Sequence, residues 1–187
     1  ETKKHVDKVF VIDDASTDGT AQIAQQNGAE IVKHVINRGI GAAQQTGYHV
    51  ALSEGFDCIV QLDGDGQHDP RFIPRMVEAI NGCDMVIGSR YLNESYKKYH
   101  LVRRVGISFF TSVINVLTPT NITDVTSGYR VYKSHIFNEL DPQFDRHWAV
   151  AQTLECAQKG LKIKEVSVEM PPRKNGESQL NPQRFAM

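Results

Sequence analysis

The stretch Ile59 to Pro70, I-V-Q-L-D-G-D-G-Q-H-D-P, constrains this chain more than any other. The apolar run Cys58 to Leu62 before the first aspartate has the length and bounding residues of a buried strand. A strand covered on both faces cannot hold an unpaired carboxylate. Asp63 and Asp65 therefore belong at its carboxyl end, the edge at which open α/β sheets bind ligands. Two residues apart in an extended segment, they share a face. The intervening glycines let the backbone turn and a ligand approach. Two hard oxygen donors of this kind suit Mg2+ or Mn2+, which take one or two protein carboxylates and fill their other positions with water and substrate phosphates. Gln67 offers a third oxygen. The plain alternative is an acidic, Gly-rich loop without a metal. The strand before the loop and the Asp69-Pro70 helix start after it favour the cation.

Around this stretch, strand-like and helix-like segments alternate. Val9 to Ile12 reads as a first strand, Ala21 to Gln26 as a helix stopped by Asn27-Gly28, and Glu30 to Val35 as a second strand. Ala42 to Ser53 reads as a helix, and the acidic stretch ends the third strand. Pro70 opens a helix whose apolar stripe is Phe72, Ile73, Met76, Val77 and Ile80. Met85 to Gly88 is a fourth strand. This order predicts an α/β fold with a mostly parallel sheet covered on both faces. The second half is less regular: a helix over Leu101 to Leu117, a turn and strand within Asp124 to Tyr132, a helix from about Trp148 to Lys159, and a last strand within Lys162 to Met170.

The 187 residues suit one domain with a sizeable core, and the 40% hydrophobic and 23% charged content is that of a soluble globular protein. A net charge of -1 argues against bulk nucleic-acid binding. Three scattered cysteines without a C-x-x-C motif indicate neither a disulfide framework nor a cysteine zinc site. With no bilayer-spanning apolar run and a polar start, the composition points to a reducing, cytoplasmic setting.

Other constellations are less specific. Asp13 and Asp14 follow the first strand and, in a parallel sheet, lie on the same edge as Asp63 and Asp65. They suit hydrogen bonding to a base or ribose, and a helix N-cap cluster is the alternative. Asn37-Arg38-Gly39-Ile40-Gly41 precedes a helix and suits phosphate binding or a tight turn equally well. Arg90, Arg103, Arg104, Arg130 and Arg173 are candidates for bidentate phosphate contact, with solvated surface charge expected for at least half of the arginines. The helix from Leu101 has a wider apolar surface than one buried face needs. With Arg103 and Arg104 it could meet a lipid surface or lipid acceptor. The histidines form no metal-ligand spacing, and His68 sits beside the acidic loop.

In order, V-I-D-D-A-S-T-D-G-T, N-R-G-I-G-A-A, Q-L-D-G-D-G-Q-H-D-P, V-I-G-S-R-Y, T-D-V-T-S-G-Y-R-V-Y and V-S-V-E-M-P-P-R-K-N-G-E-S span nearly the whole chain. The set resembles glycosyltransferase family 2, most closely the branch of dolichol-phosphate mannosyltransferase and other polyprenyl-phosphate glycosyltransferases. The resemblance implies a GT-A fold, a three-layer α/β/α sandwich that binds a nucleotide-sugar and a divalent metal. By matching position, Asp14, with Asp13, contacts the nucleotide, and Asn37 and Gly39 line its pocket. Asp63 and Asp65 form the D-x-D pair, with Gln67 as a further metal contact. Arg90, Arg130 and Arg173 lie near donor or acceptor phosphates. Family members usually open with a strand ending in P-x-Y-N or P-x-Y-E, which has no counterpart here. The expectation is an N-terminally truncated catalytic-type domain over residues 1–174, lacking that first strand, and a polar tail over 175–187.

The activity implied is an inverting, metal-dependent hexosyl transfer from a nucleotide-diphosphate donor to a polyprenyl phosphate or a cell-envelope glycan. It would take place in the cytoplasm or at the cytoplasmic face of a membrane, with peripheral contact to it. Asp65, with Asp63 assisting, would hold the metal beside the leaving diphosphate. A lipid-phosphate acceptor is already an anion and needs no strong base. A hydroxyl acceptor needs a carboxylate base, for which Asp145 and Asp124 are candidates. The competing expectation is a nucleotide-sugar-binding module of the same fold without turnover.

Overall fold

The computed structural model describes residues 1–93, 96–97, 101–140 and 148–171, apart from the side chains of Val102, Arg103 and Trp148. Strand β1 (Phe10–Asp13) pairs in parallel with β2 (Glu30–Lys33), in a register running from Phe10 opposite Glu30 to Asp13 opposite Lys33. Helix α1 (Thr20–Gln26) makes the crossover between them. Helix α2 (Ile40–Ser53) follows and runs back along β1. It packs closely there because Gly47 carries no side chain: a Cβ at that position would lie 3.4 Å from Ile12 Cγ1. A second sheet contains β3 (Cys58–Gln61), β4 (Met85–Ser89), β5 (Arg130–Lys133) and β6 (Ile163–Ser167), in the order β3-β5-β4-β6. Helices α3 (Ile73–Ala79), α4 (Leu101–Leu117) and α5 (Trp148–Gln158) connect these strands.

The alternation of side chains along these strands builds two cores. Ile59, Met85, Ile87 and Tyr132 face α2, α4 and α5, where they meet Tyr48, Ala51, Ile114 and Cys156. Val86, Val131 and Val166 point the other way, onto Ile73, Met76 and Ile80. Ile73 and Met76 of α3 are fully buried, and each such side chain stabilises the fold by about 2 kcal/mol. The result is a sheet between two helical layers, as expected.

Two features differ from the sequence reading. The strands form two sheets among the described residues, and β5 runs antiparallel to both neighbours, β3 and β4. The fully buried strand is β4 rather than β3. On β3, which is an edge strand among the described residues, only Ile59 is buried. In β4, Gly88 has no room for a side chain: a Cβ would lie 3.1 Å from Val168 Cγ2 and 3.3 Å from the Tyr129 carbonyl oxygen. This close approach sets the path of the chain at the end of β4, where Ser89 still pairs with Ser167 and Arg90 follows.

Helix α4 has the predicted bounds. Ile107 and Ile114 anchor one side of it, and Leu101, Val105, Phe109, Phe110, Val116 and Leu117 are exposed on the other.

Candidate active site at the strand ends

Two clusters of polar residues form where strands end. The first closes the β1–β2 sheet. Because Asp13 stands opposite Lys33 in the parallel register, Asp14 meets His34. The Asp14 carboxylate accepts from His34 Nδ1 at 2.6 Å, from the Arg38 backbone N–H at 2.9 Å and from the Gly39 N–H at 2.7 Å. Asn37 Nδ2 donates to the Asp14 carbonyl oxygen at 3.1 Å. His34 Nε2 accepts from the Thr46 hydroxyl at 2.9 Å, which joins this cluster to α2. Gly39 turns toward Asp14 with φ of 87°, a conformation suited to glycine. Burial disfavours the Asp14 carboxylate, but the hydrogen bonds from Arg38, His34 and Gly39 outweigh it and hold its pKa below the usual value. Asp14 is thus the clamp of the 37–39 loop, and Asn37 and Gly39 are held by it.

Asp13 is buried. Its Oδ1 accepts from the Ser16 N–H at 2.8 Å, and this bonding holds the carboxyl below its ordinary pKa. Its Oδ2 lies 3.6 Å from Lys33 Nζ without a hydrogen bond. The turn that brings Ser16 back places Ala15 at φ of 62°.

The second cluster is the acidic loop after β3. The Asp63 N–H donates to His68 Nδ1 at 2.8 Å, and the Gln67 N–H donates to Asp65 Oδ1 at 2.9 Å. Gln67 Nε2 donates to the Pro171 carbonyl at 2.9 Å, which fixes the amide and turns its oxygen away from that contact. The His68 ring stacks on Tyr129, with centroids 4.9 Å apart and an interplanar angle of 20°. Tyr129 in turn donates from its hydroxyl to the Asp69 carbonyl at 2.9 Å. Burial pushes the His68 pKa down against the pull of both Asp63 and Asp65, so both carboxylates lie within electrostatic reach of the ring. Gly128 passes beneath this loop: a Cβ there would sit 3.4 Å from Asp63 Oδ2 and 3.6 Å from His68 Cε1.

Asp63 and Asp65 are half-buried, and no described Lys or Arg forms an ion pair with Asp63. No group of three or more His, Cys, Asp or Glu side chains among the described residues forms a metal cage. Two half-buried carboxylates, with the Gln67 amide held at its Nε2 by Pro171, fit a hard cation that keeps water and substrate ligands. They do not fit tetrahedral zinc.

Behind the loop lies a buried charged network that the sequence did not reveal. Arg90 holds Asp124 in a bidentate pair, Nε to Oδ2 at 2.6 Å and Nη2 to Oδ1 at 2.7 Å. Glu165 accepts from the backbone N–H groups of Thr123 and Asp124 at 2.8 and 2.9 Å, and burial raises its pKa. In this structure Arg90 and Asp124 are thus ion-pair partners of each other. Arg130 is fully buried. It donates to the carbonyls of Ser127, Val125 and Ala149, to Gln152 Oε1 and to Thr153 Oγ1, at 2.7 to 3.1 Å. Its place in the sequence suggested a phosphate ligand, but in the structure it ties the 125–127 turn to α5. Asp145 and Arg173 lie outside the described residues.

A groove of about 620 Å³ runs beside α4 from the end of β4. Tyr91 and Tyr96 stack at 4.8 Å on one wall, with the Arg104 guanidinium 5.0 Å from the Tyr96 ring centre. Leu101, Val105 and Phe109 form the apolar wall.

Comparison with known proteins agrees with this architecture. The family model described as Glycosyl transferase family 2 matches residues 2–141. An undecaprenyl-phosphate mannosyltransferase of Micrococcus luteus is 34% identical over 183 residues, covering 92% of this chain and 75% of that protein. A polyprenol monophosphomannose synthase of Mycolicibacterium smegmatis is 27% identical, covering 92% of this chain and 70% of that protein. A solved glucosyl-3-phosphoglycerate synthase of Mycobacterium tuberculosis, in complex with Mn2+ and UDP-glucose, superposes with a TM-score of 0.63 at 19% identity. It covers 92% of this chain, and the chain spans 62% of that structure's length. The likeness shows the GT-A fold.

Proposed function

The chain belongs to glycosyltransferase family 2, and from that premise we propose that it is the catalytic-type domain, over residues 1–174, of an inverting hexosyltransferase. The donor is a nucleotide-diphosphate sugar and the acceptor a polyprenyl phosphate. The observation that carries this reading is the acidic loop, in which Asp63 and Asp65 stand at a strand end with His68, Gln67 and Tyr129 holding the backbone around them. A bound Mg2+ or Mn2+ would supply charge neutralisation for the departing diphosphate. Asp63, Asp65 and the Gln67 amide oxygen are the residues that would hold it. The Asp13–Asp14 cluster, with the 37–39 loop folded onto it, faces the nucleotide.

The α4 groove supports a lipid-phosphate acceptor. Its apolar wall suits the first isoprene units, and Arg104 suits the phosphate. A phosphate monoester is already a nucleophilic anion, so no base is required, and the chain's task is to orient the acceptor. The exposed side of α4 suits peripheral contact with a membrane surface at its cytoplasmic face. Among the described residues no helix is long and apolar enough to cross a membrane.

The test is transfer from a panel of nucleotide-sugars to a short polyprenyl phosphate, with Mn2+ and with a chelator. Chelator-sensitive formation of a glycosyl-phospholipid is expected. Calorimetric donor binding without product would favour the binding-module reading, and transfer that ignores the chelator would exclude the metal role.

A further inference from the structure

We propose that His68 is the positioning residue of the acidic loop: its Nδ1 lone pair accepts the Asp63 N–H and so sets the two carboxylates for a divalent cation. The inference rests on the metal reading above. A backbone amide can only donate, so at 2.8 Å from Asp63 N the Nδ1 atom must be the unprotonated one, and the proton sits on Nε2. The bond spans five residues and closes the loop that contains Asp63, Asp65 and Gln67. The ring is held by the adjacent residues Gly128 and Tyr129. Tyr129 stacks on it at 4.9 Å, and the Gly128 backbone passes close enough that a Cβ would stand 3.6 Å from Cε1. Tyr129 is fully buried and donates its hydroxyl to the Asp69 carbonyl, which fixes the loop's far end. A flexible Gly-rich loop would otherwise lose entropy on binding a cation, and closing it in advance removes that cost.

Asparagine can place an acceptor near the Nδ1 position, whereas glutamine reaches toward the Nε2 position. The experiment compares His68→Ala, His68→Asn and His68→Gln for Mn2+ affinity by electron paramagnetic resonance, with circular dichroism to confirm folding. His68→Ala and His68→Gln are expected to bind Mn2+ roughly 10–100-fold more weakly, the usual effect of losing an outer-shell partner, with His68→Asn within a few-fold of wild type. Nitrogen NMR of the wild-type imidazole should show Nδ1 unprotonated before any metal is added. Wild-type affinity in His68→Ala overturns the inference, as does rescue by glutamine but not asparagine, or a proton on Nδ1. If His68→Ala does not fold, the asparagine–glutamine comparison and the tautomer decide. A wild-type protein that takes up no Mn2+ instead removes the metal reading, and this inference with it.

Discussion

Arg90 and Asp124 meet in a bidentate ion pair in which the arginine is 4% exposed and the aspartate fully buried. Removing one partner leaves the other charged and desolvated. Asp124→Ala should therefore destabilise the fold by about 3–5 kcal/mol. Replacing both, as Arg90→Met with Asp124→Leu, should cost less than the single change, because neither partner of the pair is left behind as an unpaired buried charge. Urea unfolding of the two variants checks this. Equal losses in the single and double variants would mean that the pair carries no coupled charge.

Asp65→Asn keeps the shape of the acidic loop and an acceptor for the Gln67 N–H. It removes one of the two carboxylates offered to a cation. Mn2+ affinity should fall by more than the roughly 10–100-fold typical of outer-shell changes, with transfer falling in parallel and the melting temperature nearly unchanged. Wild-type Mn2+ binding in this variant would mean that the cation lies elsewhere.

Ala15 occupies the left-handed region at φ of 62° because Ser16 turns back to bond Asp13. That conformation costs an L-residue roughly 1–2 kcal/mol. Glycine removes the strain but adds about 0.4–1 kcal/mol of freedom to the unfolded chain. Ala15→Gly should therefore stabilise the protein by about 0.5–1 kcal/mol, read from thermal or urea unfolding. A loss of stability would show that the surrounding turn relieves the strain.

The Asp14 carboxylate is held by three hydrogen bonds, and its folded pKa lies below the unfolded value near 3.9. The unfolded state then binds more protons in that range, so this contribution is present above about pH 4 and is lost as pH falls through the folded pKa. The stability difference between wild type and Asp14→Asn should be largest near neutral pH and shrink below about pH 4. Unfolding at pH 7 and pH 3 measures it. A difference independent of pH would assign the effect to neutral hydrogen bonding alone.

The acidic loop and helix α4 were legible because their signals are local: turn residues after an apolar run, and an apolar pattern that stops at Pro119. The insertion of β5 between β3 and β4 was not, because antiparallel pairing across a long connection leaves no local pattern. Arg130 shows the same limit more sharply. Its string S-G-Y-R looks like a loop offering an arginine to an anion, but three of its acceptors are backbone carbonyls, which have no signature in sequence. His34 was within reach: once Asp13 is aligned with Lys33, the next residues along each strand, Asp14 and His34, must meet.

Helix α4 offers the most direct test of the lipid-acceptor reading. Leu117 is 61% exposed and Val116 is 85% exposed, and neither lines the groove, so neither contributes much to the folded core. Leu117→Glu combined with Val116→Glu should change stability by no more than about 0.5 kcal/mol per site. If this face lies in a lipid surface, each large apolar side chain contributes about 1.5–3 kcal/mol to partitioning. Removing two should lower binding to anionic-lipid vesicles by at least roughly 100-fold, at about 1.4 kcal/mol per tenfold. Sedimentation with vesicles measures the partitioning, and transfer to a water-soluble, short-chain phosphate acceptor should be less affected than transfer to a long-chain acceptor in vesicles. Unchanged vesicle binding would mean that the exposed side of α4 serves something other than a membrane.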